Sequence, residues 1–226
     1  MTAFVFTDLF GGAVHQIDNL TANSIVTVGG GALSSPSGPA RDTQGSVAVA
    51  DTVAHQIAYA DPGGDWVRFG AKGSGVGQFD RPAATAFLGS GHLLVLDAGN
   101  GRLVRIDDAT GSGWRTYGHR GMPTAANPAV GAFADPRGLA VDSSDRIWIS
   151  DPGAKRVVRI DGIDGSGWVQ IGLSAAANPA RPYGICAYQG GVIVRCGLRS
   201  TPIPARTRLV PITGSSTPAF WNAALL

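Results

Sequence analysis

The 226-residue sequence predicts an all-β fold, a five-bladed β-propeller of four-stranded antiparallel blades, on three observations. The 33 Gly and 14 Pro are interleaved with Val, Ile, Trp and Thr, a composition of short strands and tight turns rather than helices. A Pro followed 15 positions later by Asp recurs at Pro36 and Asp51, Pro82 and Asp97, and Pro136 and Asp151. The two ends of the chain read as complementary parts of one further unit.

The clearest copy of the unit runs from Pro136 to Asp161, PRGLAVDSSDRIWISDPGAKRVVRID. Its first strand is apolar, as in GLAVD, ATAFL and GICAY, and a turn leads to a second, SVAVAD, HLLVLD, RIWISD or VIVRC. A short loop precedes a third, HQIAYAD, RLVRIDD, RVVRIDG or RLVPITG, and a fourth begins near a Trp in DWVRFG, GWRTYG and GWVQIG. The unbroken apolar runs of the second strands predict sheets covered on both faces. Four short antiparallel strands recurring roughly every 40 to 50 residues describe propeller blades, a period too long for one coil of a β-solenoid.

Residues 4 to 18, FVFTDLFGGAVHQID, match the second and third strands, with Asp8 on the repeated Asp and no first strand before them. At the other end Pro218 opens PAFWNAALL, which matches a first strand, and across the joined ends Pro218 to Asp8 spans 16 positions. The expected blades are 1–33 with 217–226, 34–79, 80–133, 134–180 and 181–216, in one domain. The C-terminal strand completes the N-terminal blade and removes the free sheet edges.

The PRGLAVD, IWISD and RVVRID segments resemble the NHL repeat, a β-propeller unit of bacterial lyase-like and hydrolase-like proteins, the peptide-amidating lyase, and animal RNA-binding and ubiquitin-ligase proteins. The resemblance spans the chain and is strongest over residues 82 to 161. The Asn of that repeat is matched by Asn100, and its third-strand Arg by Arg102, Arg156 and Arg208. It implies a propeller of bacterial type that binds a ligand or carries a lyase-like or hydrolase-like site. The family commonly has six blades, one more than are counted here.

Composition narrows the function. With 18 basic and 16 acidic residues and no run of like charge, nothing steers nucleic acid or membrane by itself. Cys186 and Cys196 make neither a disulfide scaffold nor a C-x-x-C site. Hairpin register offsets them by about three residues, too far for an unstrained disulfide, so each is expected as a small buried hydrophobe. MTAFVFTD has no signal-peptide character, and no apolar run reaches a membrane span, so the chain as written reads as cytoplasmic. A mature secreted form would read the same.

Residues that recur once per blade are explained by the blade. Asp8, Asp51, Asp97 and Asp151 end a strand where a carboxylate accepts N–H groups of the following turn. Trp66, Trp114 and Trp168 open fourth strands as packing residues. The GSGVGQF segment at 73–79 lacks the strand–loop–helix context and Lys-Ser/Thr ending of a phosphate loop, and reads as a blade connection. There is no G-x-S-x-G, and His15, His55, His92 and His119 have no local metal spacing.

The departures from the repeat are more informative. HRGMPTAANPAVGAFAD, 119–135, lengthens one blade connection, and GLRSTPIPART, 197–207, lengthens one loop between second and third strands. Both kinds of connection fall on the same face of a propeller. That face collects His119, Arg120, Arg199 and Arg206, with His55, Lys155, Arg137 and Tyr183 nearer the axis, a modest basic rim around a small apolar funnel that suits an acidic or carboxylate-bearing ligand, a peptide or a nucleic-acid backbone. The leading expectation is a binding or scaffold module for a protein or small molecule, with no cofactor. The alternative is a metal-assisted lyase or hydrolase with an axial metal ion, and RNA binding ranks third because aromatics do not interleave with the basic rim.

Overall fold

A computed structural model describes residues 4–8, 10–17, 25–29, 33–122, 130–173, 181–188, 191–197 and 206–210. Among these the only regular elements are strands, and no helix is long and apolar enough to cross a membrane.

Three four-stranded sheets carry the repeat. The first contains β4 (Pro36–Arg41), β5 (Val47–Asp51), β6 (Gln56–Ala60) and β7 (Val67–Phe69). The second contains β10 (Pro82–Phe87), β11 (Leu93–Asp97), β12 (Arg102–Ile106) and β13 (Arg115–Tyr117). The third contains β16 (Gly138–Val141), β17 (Ile147–Asp151), β18 (Arg156–Ile160) and β19 (Val169–Gly172). Each is antiparallel in chain order.

On either side lies a three-stranded sheet. One has β1 (Phe4–Asp8), β2 (Ala13–Ile17) and β3 (Ile25–Gly29). The other has β20 (Arg181–Tyr188), β21 (Gly191–Gly197) and β22 (Arg206–Val210). Pro218 and the segment expected to complete the first sheet lie outside the described residues, as do residues 211–216 that follow β22.

Every residue of β5, β11 and β17 is buried, because these strands are sandwiched between neighbouring sheets. Leu94, Leu96 and Leu103 of one sheet pack on Ile147, Ile149, Val158 and Ile160 of the next. Ala48, Ala50 and Ile57 meet Val95, Val104 and Ile106 in the same way. The small residues of β4 and β10 let inner strands approach closely: a Cβ added to Gly38, at φ +47°, would lie 2.6 Å from Ala84 Cβ.

The blade connections have a structure the sequence reading did not anticipate. Between the first two four-stranded sheets, β8 (Ala71–Lys72) pairs in parallel with β9 (Gln78–Phe79). Between the next two, β14 (His119–Arg120) pairs in parallel with β15 (Ala132–Phe133). Each ladder inserts a fully buried phenylalanine, Phe79 or Phe133, with its ring centroid 5.2 Å from Trp114 or 5.7 Å from Trp168. Buried Leu33 sits at the same place ahead of Pro36, so GALSSP, GQFDRP and GAFADP form one motif, Gly-x-apolar-x-x-Pro.

Candidate functional site

The repeated aspartates are side chains of the scaffold, and their donors are not those of the following turn. Buried Asp51 accepts N–H bonds from Ser34 and Ser35 at 2.8 and 2.9 Å. Asp97 accepts one from Asp80 at 2.7 Å, and Asp151 accepts from Ala134 and Asp135 at 3.2 and 2.9 Å. The second-strand end thus holds the segment that enters the same blade, 16 or 17 residues earlier in the chain. The β-hairpin between them brings the two together, a relationship across strands that local spacing does not reveal. Only Asp8 caps its own turn, accepting from Phe10 and Gly11 N–H at 3.0 and 2.9 Å, and these bonds hold its carboxyl below the usual range.

Two arginines complete the clasp. Arg102 Nε donates to Asp97 Oδ2 at 2.8 Å, and its other nitrogens donate to the Ser74 and Gln78 carbonyls at 2.6 and 2.9 Å. Asn100 Nδ2 joins Asp97 Oδ2 to the Gly73 carbonyl, each at 2.8 Å. The glycine-rich 73–79 segment therefore turns carbonyls onto a guanidinium and an amide, the reverse of a loop that offers N–H groups to phosphate. Arg156 repeats the pattern with Asp151, Gln170 and the Ala132 carbonyl. Both guanidiniums also lie over a tryptophan, Trp114 at 5.8 Å and Trp168 at 5.5 Å. Trp66 packs beside the Val14, Val47 and Val49 cluster. Burial pushes the Asp97 carboxyl up, against the opposing pull of Asn100, the Asp80 N–H and Arg102.

The loops between second and third strands and the blade connections touch, so they share one face. The Lys155 backbone carbonyl accepts the Leu173 N–H at 2.8 Å, and the Arg81 N–H donates to His55 Nδ1 at 3.0 Å. Arg120 Nη1 donates to the Gly99 carbonyl at 3.0 Å. His55 therefore braces a connection, while Arg120 makes this bond and stays exposed in β14. The His55 Nδ1 that accepts from Arg81 also lies 3.4 Å from Asp80 Oδ1, which makes this contact an ion pair only if the ring gives up the Arg81 bond.

Four residues after the repeated Asp, the backbone is left-handed in four blades: Gly12, His55, Gly101 and Lys155 have φ of 61°, 58°, 64° and 54°. Glycine is the unstrained choice there, yet two blades carry basic side chains. Arg81 is left-handed too, at φ 48°. Its side chain is 57% exposed and 3.6 Å from Asp80, while that of Arg137 is 45% exposed and 2.8 Å from Asp135. Tyr183 is exposed at the start of β20, and half-buried Lys155 has no acidic partner among the described residues.

The remaining predicted rim residues fare differently. His119 is exposed in β14. Arg199 lies outside the described residues. Arg206 does not belong to a loop: it opens β22 and pairs with Cys196 in the ladder. Cys186 is exposed, not buried, and stands opposite Ile193, three positions from Cys196. Sequence reasoning missed Arg81, whose only signal is its place immediately before Pro82.

The opposite face holds a cleft of about 360 Å³ among three first-to-second strand turns, with Phe87, Leu88 and Val141 among its lining residues. Its acids are occupied. Asp42 Oδ1 accepts the N–H groups of Gln44, Gly45 and Ser46, and Asp145 accepts from Gly89 of the neighbouring turn at 2.7 Å. Burial acts to raise the Asp142 carboxyl, but bonds from Trp148, Ser144 and Arg146 together hold it below its usual range.

No protein-family model and no curated protein matches the chain. Solved structures match in fold. A catalytically inactive virginiamycin B lyase from Staphylococcus aureus with quinupristin aligns at 16% identity over 96% of this chain and 68% of its own, TM-score 0.61. A chain of a nidogen/laminin complex aligns at 15% identity over 86% and 67%, TM-score 0.68. A gluconolactonase from Xanthomonas campestris aligns at 14% identity over 85% and 65%, TM-score 0.64. The chain spans about two thirds of the length of each. The likeness establishes a β-propeller fold, one that serves enzymes and binding proteins alike.

Proposed function

We propose that the chain is a binding or scaffold propeller of NHL-like type, with five blades closed by the C-terminal segment. It takes a protein or small-molecule ligand on the face formed by the connections and the second-to-third strand loops. The observation that supports this is a division among the cations. Arg102 and Arg156 are spent inside the walls, while Arg81 and Arg137 remain exposed, as does Tyr183. Each exposed guanidinium meets one adjacent carboxylate and keeps further N–H donors for a ligand. His119, Arg120, Arg199 and Arg206 extend the same basic rim.

Thermal-shift titration with small carboxylates and immobilised peptides tests the reading. Arg81→Ala, Arg137→Ala and Lys155→Ala combined should abolish the ligand response without lowering the unliganded midpoint. An undiminished response would place the ligand elsewhere.

The fold likeness to a lyase and a lactonase favours a second reading, metal-assisted lyase or hydrolase chemistry at the axis. The described residues fit it poorly, since no three His, Cys, Asp or Glu side chains converge among them. Elemental analysis of the purified protein discriminates: a stoichiometric metal would support this second reading over the first.

A further inference from the structure

We propose that the occupant of this face is a polypeptide that presents apolar anchors within an acidic surface. The inference rests on the binding reading above and concerns a separate observation, the distribution of exposed apolar side chains. Phe10 is 98% exposed, Val76 76%, Met122 65%, Val53 64% and Val130 62%, the five highest values among the exposed large hydrophobics. All five lie on loops of one face. Phe10 and Val53 occupy second-to-third strand loops, and Val76, Met122 and Val130 lie in blade connections. The other large exposed hydrophobics apart from Tyr183 are strand residues on the sheets themselves: Phe6, Val67, Val169 and Tyr188, at 38%, 47%, 41% and 50%.

Single exposed apolar residues need no explanation, but projecting apolar tips gathered on one face mark an interaction surface. Tips spread over several connections suit an extended partner better than a small ligand, which is enclosed in a concave pocket. Arg81, Arg137 and Lys155 on the same face supply the complementary charge, and aromatic residues, Met and Arg are the types enriched at protein interfaces. Nucleic acid is disfavoured by the same composition: among the described residues Phe10 and Tyr183 are the exposed aromatics of this face, on different elements, whereas single-strand recognition stacks successive bases on aromatic platforms.

The backbone adds a second line of support. His55, Arg81 and Lys155 are three of four non-glycine residues with positive φ among those described, and all three are basic and on this face. The fourth, Asp145, is on the opposite face, where its carboxylate holds Gly89. Lys155 has no comparable bond among the described residues to explain a side chain where two other blades place glycine.

Selection of an unbiased random dodecapeptide library on the immobilised full chain, followed by fluorescence anisotropy with the enriched sequences, tests the proposal. Enriched peptides should combine Asp or Glu with Phe, Leu or Trp. Phe10→Ser with Val53→Ser should weaken them by about tenfold or more, at an unchanged thermal midpoint. Arg137→Ala with Lys155→Ala should weaken them and flatten their salt dependence. Peptides that respond to these variants but lack acidic or apolar residues overturn the inference and leave the binding face standing. Peptides indifferent to every variant overturn both. Failure of any peptide to enrich, or tighter binding of a single-stranded RNA 20-mer than of the selected peptides, also overturns the inference.

Discussion

Arg102 and Asp97 meet at 2.8 Å with the carboxylate fully buried, and the same guanidinium fastens the connection that enters the blade. The pair is a joint between covalently distant segments. Removing either partner leaves the charge of the other uncompensated in a buried environment. Asp97→Ala or Arg102→Ala should cost about 3–5 kcal/mol in denaturant unfolding. Asp97→Asn, which keeps an acceptor, should cost less than Asp97→Ala.

The phenylalanine plugs should be as consequential. Phe79→Ala and Phe133→Ala each empty a site between sheets beside a tryptophan, with an expected loss of about 3–5 kcal/mol. Calorimetric midpoints should fall in both variants, whereas Val76→Ala, on the same connection as Phe79 but exposed, should change little.

Lys155→Gly should move stability and binding in opposite directions. Relief of the left-handed strain, offset by the greater unfolded-state entropy of glycine, should leave a gain of about 0.5–1 kcal/mol. Ligand affinity on this face should fall. A variant that is less stable than the parent would show that the lysine side chain is itself a structural member.

Stability in acid should depend on Asp142. Its native carboxyl is held below the ordinary value of 3.8, so the stabilisation it gives is present above that value. It is lost as the pH falls through 3.8 toward the lower native value. Thermal midpoints followed from pH 5 down to pH 2 should decline less steeply in Asp142→Asn, because the titrating group is gone.

A chain ending at Ser216 tests ring closure. Loss of residues 217–226 should lower the thermal midpoint if they complete the first sheet. An unchanged midpoint would rule out that closure.

Much of the fold was legible because the chain repeats its own constraints. The Pro-to-Asp spacing locates a hairpin, and in β5, β11 and β17 the unbroken apolar runs announce burial on both faces. The connections were harder to read because their lengths vary while their anchors do not. Phe79 and Phe133 hold equivalent places, but the unequal segments before them conceal this unless Pro82 and Pro136 are aligned first. The site was less legible still. A basic residue in sequence does not declare whether it will be consumed, as Arg102 and Arg156 are, or remain exposed, as Arg81 and Arg137 do.

The parallel ladders give the molecule a place to change without unfolding. Five residues (73–77) separate β8 from β9, whereas eleven (121–131) separate β14 from β15, with the same buried phenylalanine at the end of each. On loop-closure entropy alone that extension costs only about 0.7 kcal/mol. The ladders are therefore natural grafting points: new recognition segments can be spliced between two fixed ends, and selection can rewrite the surface while the blades stay as they are.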